Sequence, residues 1–303
     1  MANPIINSLP AYIDEQRLPL IAKAVYGART ADLLTLIADV KTKTALNLIS
    51  TDVVFGDGAS CGWDDQGTVT LSQRYIDPAY LKVNMSFCDK ELLGKWASYQ
   101  VRLTAGKETL PFEEDFVNGV LEGVSQAVEK MIWQGKKADG NAFDGFLQIL
   151  DNEGTAKSVV VAAGTGAYEA IKAVYNAIPS EIVMKEDTVI FVSEGTYRNF
   201  ISDLVAANLY HFNPDYTDGA YMLPGTNVRV IAVGGLNNSK VAGEDRIVAG
   251  RLSNMFYGVS AEDDDQAFNL WHSSDNQEFR LAINFAAGVN VAYPSEMVIS
   301  KDA

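Results

Sequence analysis

The stretch Pro111–Lys137, PFEEDFVNGVLEGVSQAVEKMIWQGKK, decides how the rest of the chain is interpreted. Apolar side chains recur in it every four residues, the spacing of one buried helix face. They are Phe112, Phe116, Val120, Val124, Val128 and Ile132, with Val117, Leu121 and Met131 widening the stripe. Carboxylates at its start and lysines at its end complement the helix macrodipole. We predict a helix over residues 111–137, roughly 40 Å long. Gly119 and Gly123 share one side of it, which predicts that another backbone lies close there.

The amino-acid composition limits which class of protein this can be. The chain has 303 residues and is 48% hydrophobic, enough for a sizeable core. Its apolar runs are far shorter than the 18 residues that a membrane span requires, and the N-terminal segment lacks the pattern of a secretory signal. Cys61 and Cys88 form no metal or redox motif, so we expect the reducing cytoplasm.

Acidic charge is concentrated in the second part of the chain. The net charge is −15, of which residues 1–110 carry −1 (12 acidic, 11 basic) and residues 111–303 carry −14 (27 acidic, 13 basic). A chain this acidic, without a basic run, is poorly suited to gripping phosphates. The asymmetry is either ordinary surface variation or a sign that the first third lies against something acidic, such as other copies.

The residues before the long helix predict an arm and a β-ribbon. Residues 1–10 contain Pro4 and Pro10 and are expected to be extended, while residues 11–40 have helical spacing interrupted by Pro19 and Gly27. Residues 43–86 alternate in the manner of β-strands around a Gly- and Asp-rich centre, which predicts one long hairpin with its tip near residues 60–66. Such a ribbon needs a partner surface, on its own domain or on a neighbour. The sequence Ser86–Asp89 then fits a capping box that opens a helix through Val101.

Residues 155–235 predict an α/β unit. Tyr168–Ile178 is amphipathic, Thr188–Ser193 is a buried strand, and Ser193 is expected to cap the helix that follows. Asn227–Val233 predicts another strand, and the segments RIVAGRLSNMFYGV and EFRLAINFAAGVNVAYP return to β-structure.

The sequence provides little for catalysis. The segment VVVAAGTGAYEAI lacks the third glycine and the Lys-Ser/Thr pair of a phosphate loop, and Phe191 stands where a nucleophile elbow at Ser193 requires glycine. His211 and His272 have no metal-ligand spacing, and the acidic run at residues 262–265 lacks the calcium-loop pattern. We predict no catalytic, cofactor-binding or metal-binding residue and no cofactor, hence a chain that is not an enzyme.

The order of elements resembles a known family. Arm, long hairpin, long helix, α/β middle and returning strands resemble, over nearly the whole chain, the major capsid proteins of tailed bacteriophages with the Hong-Kong-97-type α+β fold. The segment EKMIWQGKKADGNAFDGFLQIL, which begins at the end of the long helix, is similar to the family's helix end, loop and following apolar stretch. The closing segment NMFYGVSAEDDDQAFNLW and the strand FRLAINFAAGVNVAYP resemble its last β segment, and residues 168–200 are similar to capsid proteins of gut-bacterium phages.

This resemblance implies a division of the chain. Residues 1–42 would be an N-terminal arm with short helices, and residues 43–86 the extended hairpin (E-loop). Residues 87–154, with the spine helix 111–137, would form the peripheral (P) domain. Residues 155–240 would form the axial (A) domain, and residues 241–303 would return to the P domain. About 110 residues precede the spine helix, so we expect no fused scaffolding domain.

The function implied is that of a coat protein. Copies would self-assemble through pentamers and hexamers into an icosahedral shell around double-stranded DNA, held without sequence-specific binding or a membrane. Assembly would occur in the host bacterial cytoplasm and leave the chain in the virion capsid. A separate scaffolding protein, a portal and decoration proteins would be the other partners. An encapsulin-like compartment has a similar fold, and a cytoplasmic α/β enzyme is the alternative of another class.

Two segments are predicted to contact other subunits. One is the hairpin tip, with Trp63, Asp64, Asp65 and Gln66. The other is an aromatic loop of the A domain, with Tyr210, His211, Phe212 and Tyr216.

Overall fold

A computed structural model describes residues 5–55, 67–104, 112–162, 164–209, 220–240, 245–260 and 268–301. The helices within these ranges are α1 Ile5–Tyr26, α2 Arg29–Leu33, α3 Asp89–Thr104, α4 Phe112–Gln134, α5 Phe146–Asn152, α6 Ala167–Ala177, α7 Ser180–Val183 and α8 Glu194–Ala206. The strands are β1 Thr35–Ala38, β2 Thr44–Asp52, β3 Thr68–Ile76, β4 Ala79–Cys88, β5 Lys157–Val160, β6 Thr188–Val192, β7 Ala220–Met222, β8 Arg229–Ala232, β9 Val248–Arg251, β10 Met255–Ser260, β11 Phe268–Ser273, β12 Glu278–Val291 and β13 Val298–Lys301. No helix in the described part is long and apolar enough to cross a bilayer.

The predicted long helix is α4, with 23 residues. Its buried face follows the predicted stripe, although Phe116, Val120 and Met131 are half-buried. The helix ends at Gln134, before the predicted Lys137, because the chain folds back on Gly135. Gly145 donates its N–H to the Gly135 carbonyl (2.8 Å), and a Cβ at Gly135 would lie 2.6 Å from the Phe143 carbonyl oxygen. A glycine is therefore required at that turn.

The first sheet is built around β12, whose 14 residues pair on both sides. Strand β4 lies antiparallel along one side, and β10 and β11 follow one another along the other. Strand β1 extends the sheet parallel to β10. Phe279 and Leu281 of β12, with Phe87 of β4, point to the face covered by α1 and α4, where the main core lies.

The second sheet has the order β5-β13-β9-β6-β8-β7, and all five residues of β6 are buried. Helices α6 and α8 cover it with a separate apolar cluster that includes Ile171, Val174 and Phe200. As predicted, Ser193 caps α8, since its hydroxyl accepts the Thr196 N–H at 3.0 Å.

Two short crossovers join the two sheets. Residues 252–254 connect β9 to β10, and residues 292–297 connect β12 to β13. The buried side chain of Asn254 links these crossovers: its amide donates to the Tyr293 carbonyl (2.7 Å) and its oxygen accepts the Tyr293 N–H (2.6 Å). The Asn254 carbonyl also accepts the Ala292 N–H at 3.0 Å.

The predicted arm is wrong over residues 5–10, which belong to helix α1. A kink at Gln16 (φ −105°, ψ 15°) divides this helix and leaves Pro19 in the first turn after the kink, where a missing N–H costs least. Burial of Leu9 and Ile13 against the core offsets the cost of Pro10. The predicted helical spacing also fails at its end, because residues 35–38 form β1.

The predicted hairpin of residues 43–86 is shorter in the structure. Strands β2 and β3 pair over residues 44–76, but β4 leaves the ribbon and pairs with β12. The turn falls at Pro78, which has no N–H to continue the ladder. Gly288 of β12 makes room for it, since a Cβ there would lie 2.9 Å from the Asp77 carbonyl oxygen.

Candidate interaction surfaces

Within its described residues, the hairpin β2–β3 is anchored at its base. Leu46, Leu48 and Ile76 are buried at its base, in a small cluster with Val40 and Ala292. The residues of its far part, which lie beyond these anchors, are exposed along both strands. A two-stranded ribbon of this kind is marginal without a partner surface.

The far part of the hairpin carries an exposed apolar surface, which we name the distal ridge. Ile49 lies opposite Leu71 and Thr51 opposite Val69, so the three apolar side chains share one face. Their exposed fractions are 61% for Ile49, 75% for Leu71 and 64% for Val69. Val53 and Phe55, which follow β2, are also exposed, at 65% and 94%. Contiguous exposed apolar surface of this kind marks interaction sites.

A second apolar surface lies between β4 and α4, and we name it the trough. It is an open groove of about 670 Å³. Most of its lining is apolar, and its residues are Val83, Met85, Asp115, Phe116, Gly119, Val120, Gly123, Val124 and Ala127. A Cβ built at Gly119 or Gly123 meets no atom within 4 Å. The expected close backbone is therefore absent within the described part of the chain, and the glycines leave the helix surface bare.

A buried polar junction joins three parts of the chain. The carboxylate of Glu129 on α4 accepts hydrogen bonds from the N–H (2.9 Å) and hydroxyl of Thr30 on α2. The Trp133 indole donates to the same Thr30 hydroxyl at 2.8 Å. On the other side, Gln134 donates to the carbonyls of Gly235 (2.6 Å) and Asn237 (2.9 Å), beside the α/β unit.

Burial governs the electrostatics of this junction. Glu129 is only 6% exposed, and burial raises its pKa above the ordinary value, although hydrogen bonds from Thr30 and Gly235 and the charge of Arg29 oppose that rise. Burial also raises the pKa of Tyr257, with smaller contributions from Tyr26 and Glu129. The junction therefore serves to fix the N-terminal helices and the α/β unit on α4.

The sites considered for chemistry have structural explanations. The N-terminus of α6, after the glycine turn, is capped by Asp203, whose carboxylate accepts the Tyr168 N–H at 3.1 Å. His272 packs edge-on against Phe279, with ring centroids 5.1 Å apart. Within the described ranges, no group of three His, Cys, Asp or Glu side chains is placed to hold a metal ion.

The predicted subunit-contact residues lie outside the described residues. These are Trp63, Asp64, Asp65 and Gln66 of the hairpin tip, and Tyr210, His211, Phe212 and Tyr216 of the aromatic loop. The acidic run at 262–265 also lies outside them. The distal ridge was not predicted, although Val69 and Leu71 stand in an alternating segment whose apolar positions indicate an unpartnered face. The junction was not predicted either, since Thr30 and Glu129 are distant in sequence.

Comparison with known proteins places the fold. No family model and no curated protein matches the sequence. Among solved structures, one similar chain comes from the satellite phage P4 procapsid, in a structure that also includes the size determination (Sid) protein. Its TM-score is 0.64 and its identity 12%, and the match covers 100% of this chain and 98% of that one. The capsid of an empty GTA particle is similar with a TM-score of 0.58 and 13% identity, covering 93% and 90%. A virus-like particle from Pyrococcus furiosus gives 0.52 and 11%, covering 96% and 99%.

These similarities extend over essentially the whole chain, so they define its architecture rather than a shared module. The chain has the mixed helix and sheet fold of phage capsid structures.

Proposed function

We propose that this chain is the major capsid protein of a tailed phage, with a structural rather than a catalytic role. Copies of it assemble through pentamers and hexamers into an icosahedral shell that encloses double-stranded DNA. The observation that carries the proposal is the distal ridge, an apolar surface left exposed on a chain with a capsid fold. A surface of this kind is costly on a monomer and is accounted for when copies cover it.

The Hong-Kong-97-type division follows from the same proposal. The β2–β3 hairpin corresponds to the E-loop, α4 to the spine helix and the first sheet to the P domain. The second sheet with α6 and α8 corresponds to the A domain, which the sequence placed at residues 155–240. Strands β9 and β13 of the returning segment 241–303 also pair in this sheet, so that segment does not lie wholly in the P domain. The hairpin tip (residues 63–66) and the aromatic loop (Tyr210, His211, Phe212 and Tyr216) would contact neighbouring subunits.

Charge supports an enclosed nucleic acid that is held loosely. The net charge of −15, concentrated after residue 110, disfavours tight phosphate binding. DNA would therefore move freely within the shell during filling. A separate scaffolding protein, a portal and decoration proteins would complete the particle, which would assemble in the bacterial cytoplasm.

The test is negative-stain electron microscopy and size-exclusion chromatography of the purified chain. Closed shells, or pentameric and hexameric rings, are the expected result. Deleting residues 60–66 should leave a folded chain that assembles poorly, and normal shells from that deletion would contradict the role of the tip. A wild-type chain that stays a 33 kDa monomer, even with crowding agents, would count against the proposal.

A protein compartment of the encapsulin kind is the second candidate. The similarity to a virus-like particle from Pyrococcus furiosus keeps this candidate in view, since a chain described as a virus-like particle rather than as a phage capsid has a similar fold. Shell contents discriminate the two: DNA protected from nuclease supports the phage capsid, whereas a copurifying cargo protein supports the compartment.

A further inference from the structure

The edge of the first sheet is open along the trough. Strand β4 pairs with β12 through ten residue pairs, and in the described part of the chain no second strand pairs with β4. One row of β4 backbone N–H and C=O groups is therefore available for another strand. Met85 and Val83, on the trough side of β4, are more exposed than their buried partners Leu281 and Ile283 in β12. The trough thus opens at this edge.

The trough has the shape that strand addition requires. An extended segment pairing with the β4 edge would point alternate side chains between β4 and α4. Phe116, Val120 and Val124 form an apolar wall there, and the bare surface at Gly119 and Gly123 lets side chains or backbone approach the helix. An edge strand that faces a helix across an apolar groove has the geometry that strand addition uses.

The charge of the trough lining indicates what kind of segment would fit. Asp115 is the charged residue that lines the trough, and Glu113 and Glu114 precede it in the first turn of α4. Among the lining residues that the structure describes, none is basic. A segment with a lysine or arginine near Asp115 would be complementary to this end of the trough.

The hairpin of a second copy lacks that complementarity. Residues 49–71 contain four aspartates, Asp52, Asp57, Asp64 and Asp65, and no lysine or arginine. Placing this acidic segment beside Asp115 would oppose like charges. The distal ridge is therefore a poorer match for the trough than a segment with a basic residue at that end.

We propose that the trough binds an extended segment of a different protein by strand addition to β4. The segment is apolar at alternating positions and carries a lysine or arginine at the end that reaches Asp115. This proposal does not depend on the shell function, because it rests on the geometry of one subunit.

The test measures binding of fluorescein-labelled peptides to the full chain by fluorescence anisotropy. Two peptides, Lys-Val-Thr-Val-Thr-Val-Thr and Thr-Val-Thr-Val-Thr-Val-Lys, cover both strand directions, and a glutamate replaces the lysine in their controls. One lysine peptide should bind about fivefold more tightly than its glutamate control, as expected for one exposed ion pair exchanged for a repulsion. Gly123→Leu fills the trough and should weaken binding at least tenfold. Gly94→Leu, at an exposed glycine on α3 with no atom within 4 Å of an added Cβ, should bind as wild type.

Asp115→Lys provides a second variant that does not depend on filling the groove. It should reverse the preference, so that the glutamate peptide binds more tightly. Absence of peptide binding by wild type, or unchanged binding by a folded Gly123→Leu chain, would overturn the proposal. If Gly123→Leu abolishes association between copies while wild type binds no peptide, a second copy occupies the trough and the proposal is equally wrong.

Discussion

Replacing Ile49, Val69 and Leu71 together with threonine tests whether the distal ridge is covered by another copy. Threonine keeps the β-propensity of these positions, so the hairpin should persist. Because the three side chains are 61–75% exposed in the separate chain, the free energy of unfolding should change by less than about 0.5 kcal/mol per site. The effect should instead appear in association.

The magnitude follows from the exposed area. Fully burying such a side chain contributes about 1.5–3 kcal/mol, and about two thirds of that remains to be gained here. Three side chains then contribute roughly 4 kcal/mol per contact, of which threonine, retaining one methyl, loses about 2–3 kcal/mol. Since about 1.4 kcal/mol corresponds to a factor of ten, each contact should weaken by roughly 30- to 100-fold.

The assay follows assembly by size-exclusion chromatography and negative stain over at least a hundredfold range of protein concentration. The triple variant should require roughly 30- to 100-fold more protein than wild type to form shells. Met184→Gln, at a methionine that is 76% exposed on another surface, is the matched control and should assemble as wild type. Assembly of the triple variant at the wild-type concentration would refute the assignment of the ridge.

Three further predictions concern the junction and are measured by urea unfolding, with wild type and variant in the same oligomeric form. Thr30→Val removes the hydroxyl that bonds both the Glu129 carboxylate and the Trp133 indole, and it should lower the free energy of unfolding by about 2–4 kcal/mol. Thr30→Ser keeps the hydroxyl and should lower it by under about 1 kcal/mol. Equal losses in the two variants would contradict the role of the hydroxyl. Gly235→Ala places a Cβ 2.2 Å from Trp133 Cδ1 and should lower the free energy of unfolding by about 2 kcal/mol or more. Gly234→Ala, where the atom nearest to the added Cβ is 3.8 Å away, should lower it by less than half as much. The reverse order would refute the close packing of Gly235 against Trp133. Because burial raises the pKa of Glu129, the folded chain binds more protons than the unfolded chain between the ordinary glutamate pKa and the raised one, so this group's contribution to stability falls as pH rises through that window. Wild type should therefore gain stability relative to Glu129→Gln between pH 7 and pH 5, and a loss would contradict the sign.

The sequence predicts elements whose signal is local. The four-residue step from Phe112 to Ile132 predicts α4, and Ser193 between a buried strand and a helix predicts its own capping role. The same local signals fail where tertiary contacts decide. Pro10 argues for an extended arm, yet burial of Leu9 and Ile13 holds those residues in a helix. The alternation of residues 79–88 predicts a strand correctly but does not specify its partner, which is β12 rather than β2.

The interaction surfaces are less predictable still. The distal ridge depends on which face of β2 and β3 is turned away from the base, and that register appears only once Leu46 and Leu48 are buried. Glu129 looks like one more carboxylate in an acidic chain, and its role comes from Thr30, 99 residues away. Neither local propensity nor spacing carries information at that distance.

The hydrogen bonds of Asn254 would affect the mechanical strength of a wall built from this subunit. The two crossovers between the sheets run side by side, and Asn254 bonds one to the other through its side chain and its carbonyl. Tension that pulls the two sheets apart would therefore act along two covalent backbones in parallel, in addition to the packing and hydrogen bonds of the junction. Shear between the crossovers would have to break three hydrogen bonds together. The subunit would thus resist stretching between its two sheets and yield first at the hairpin, whose described residues beyond the base are exposed along both strands.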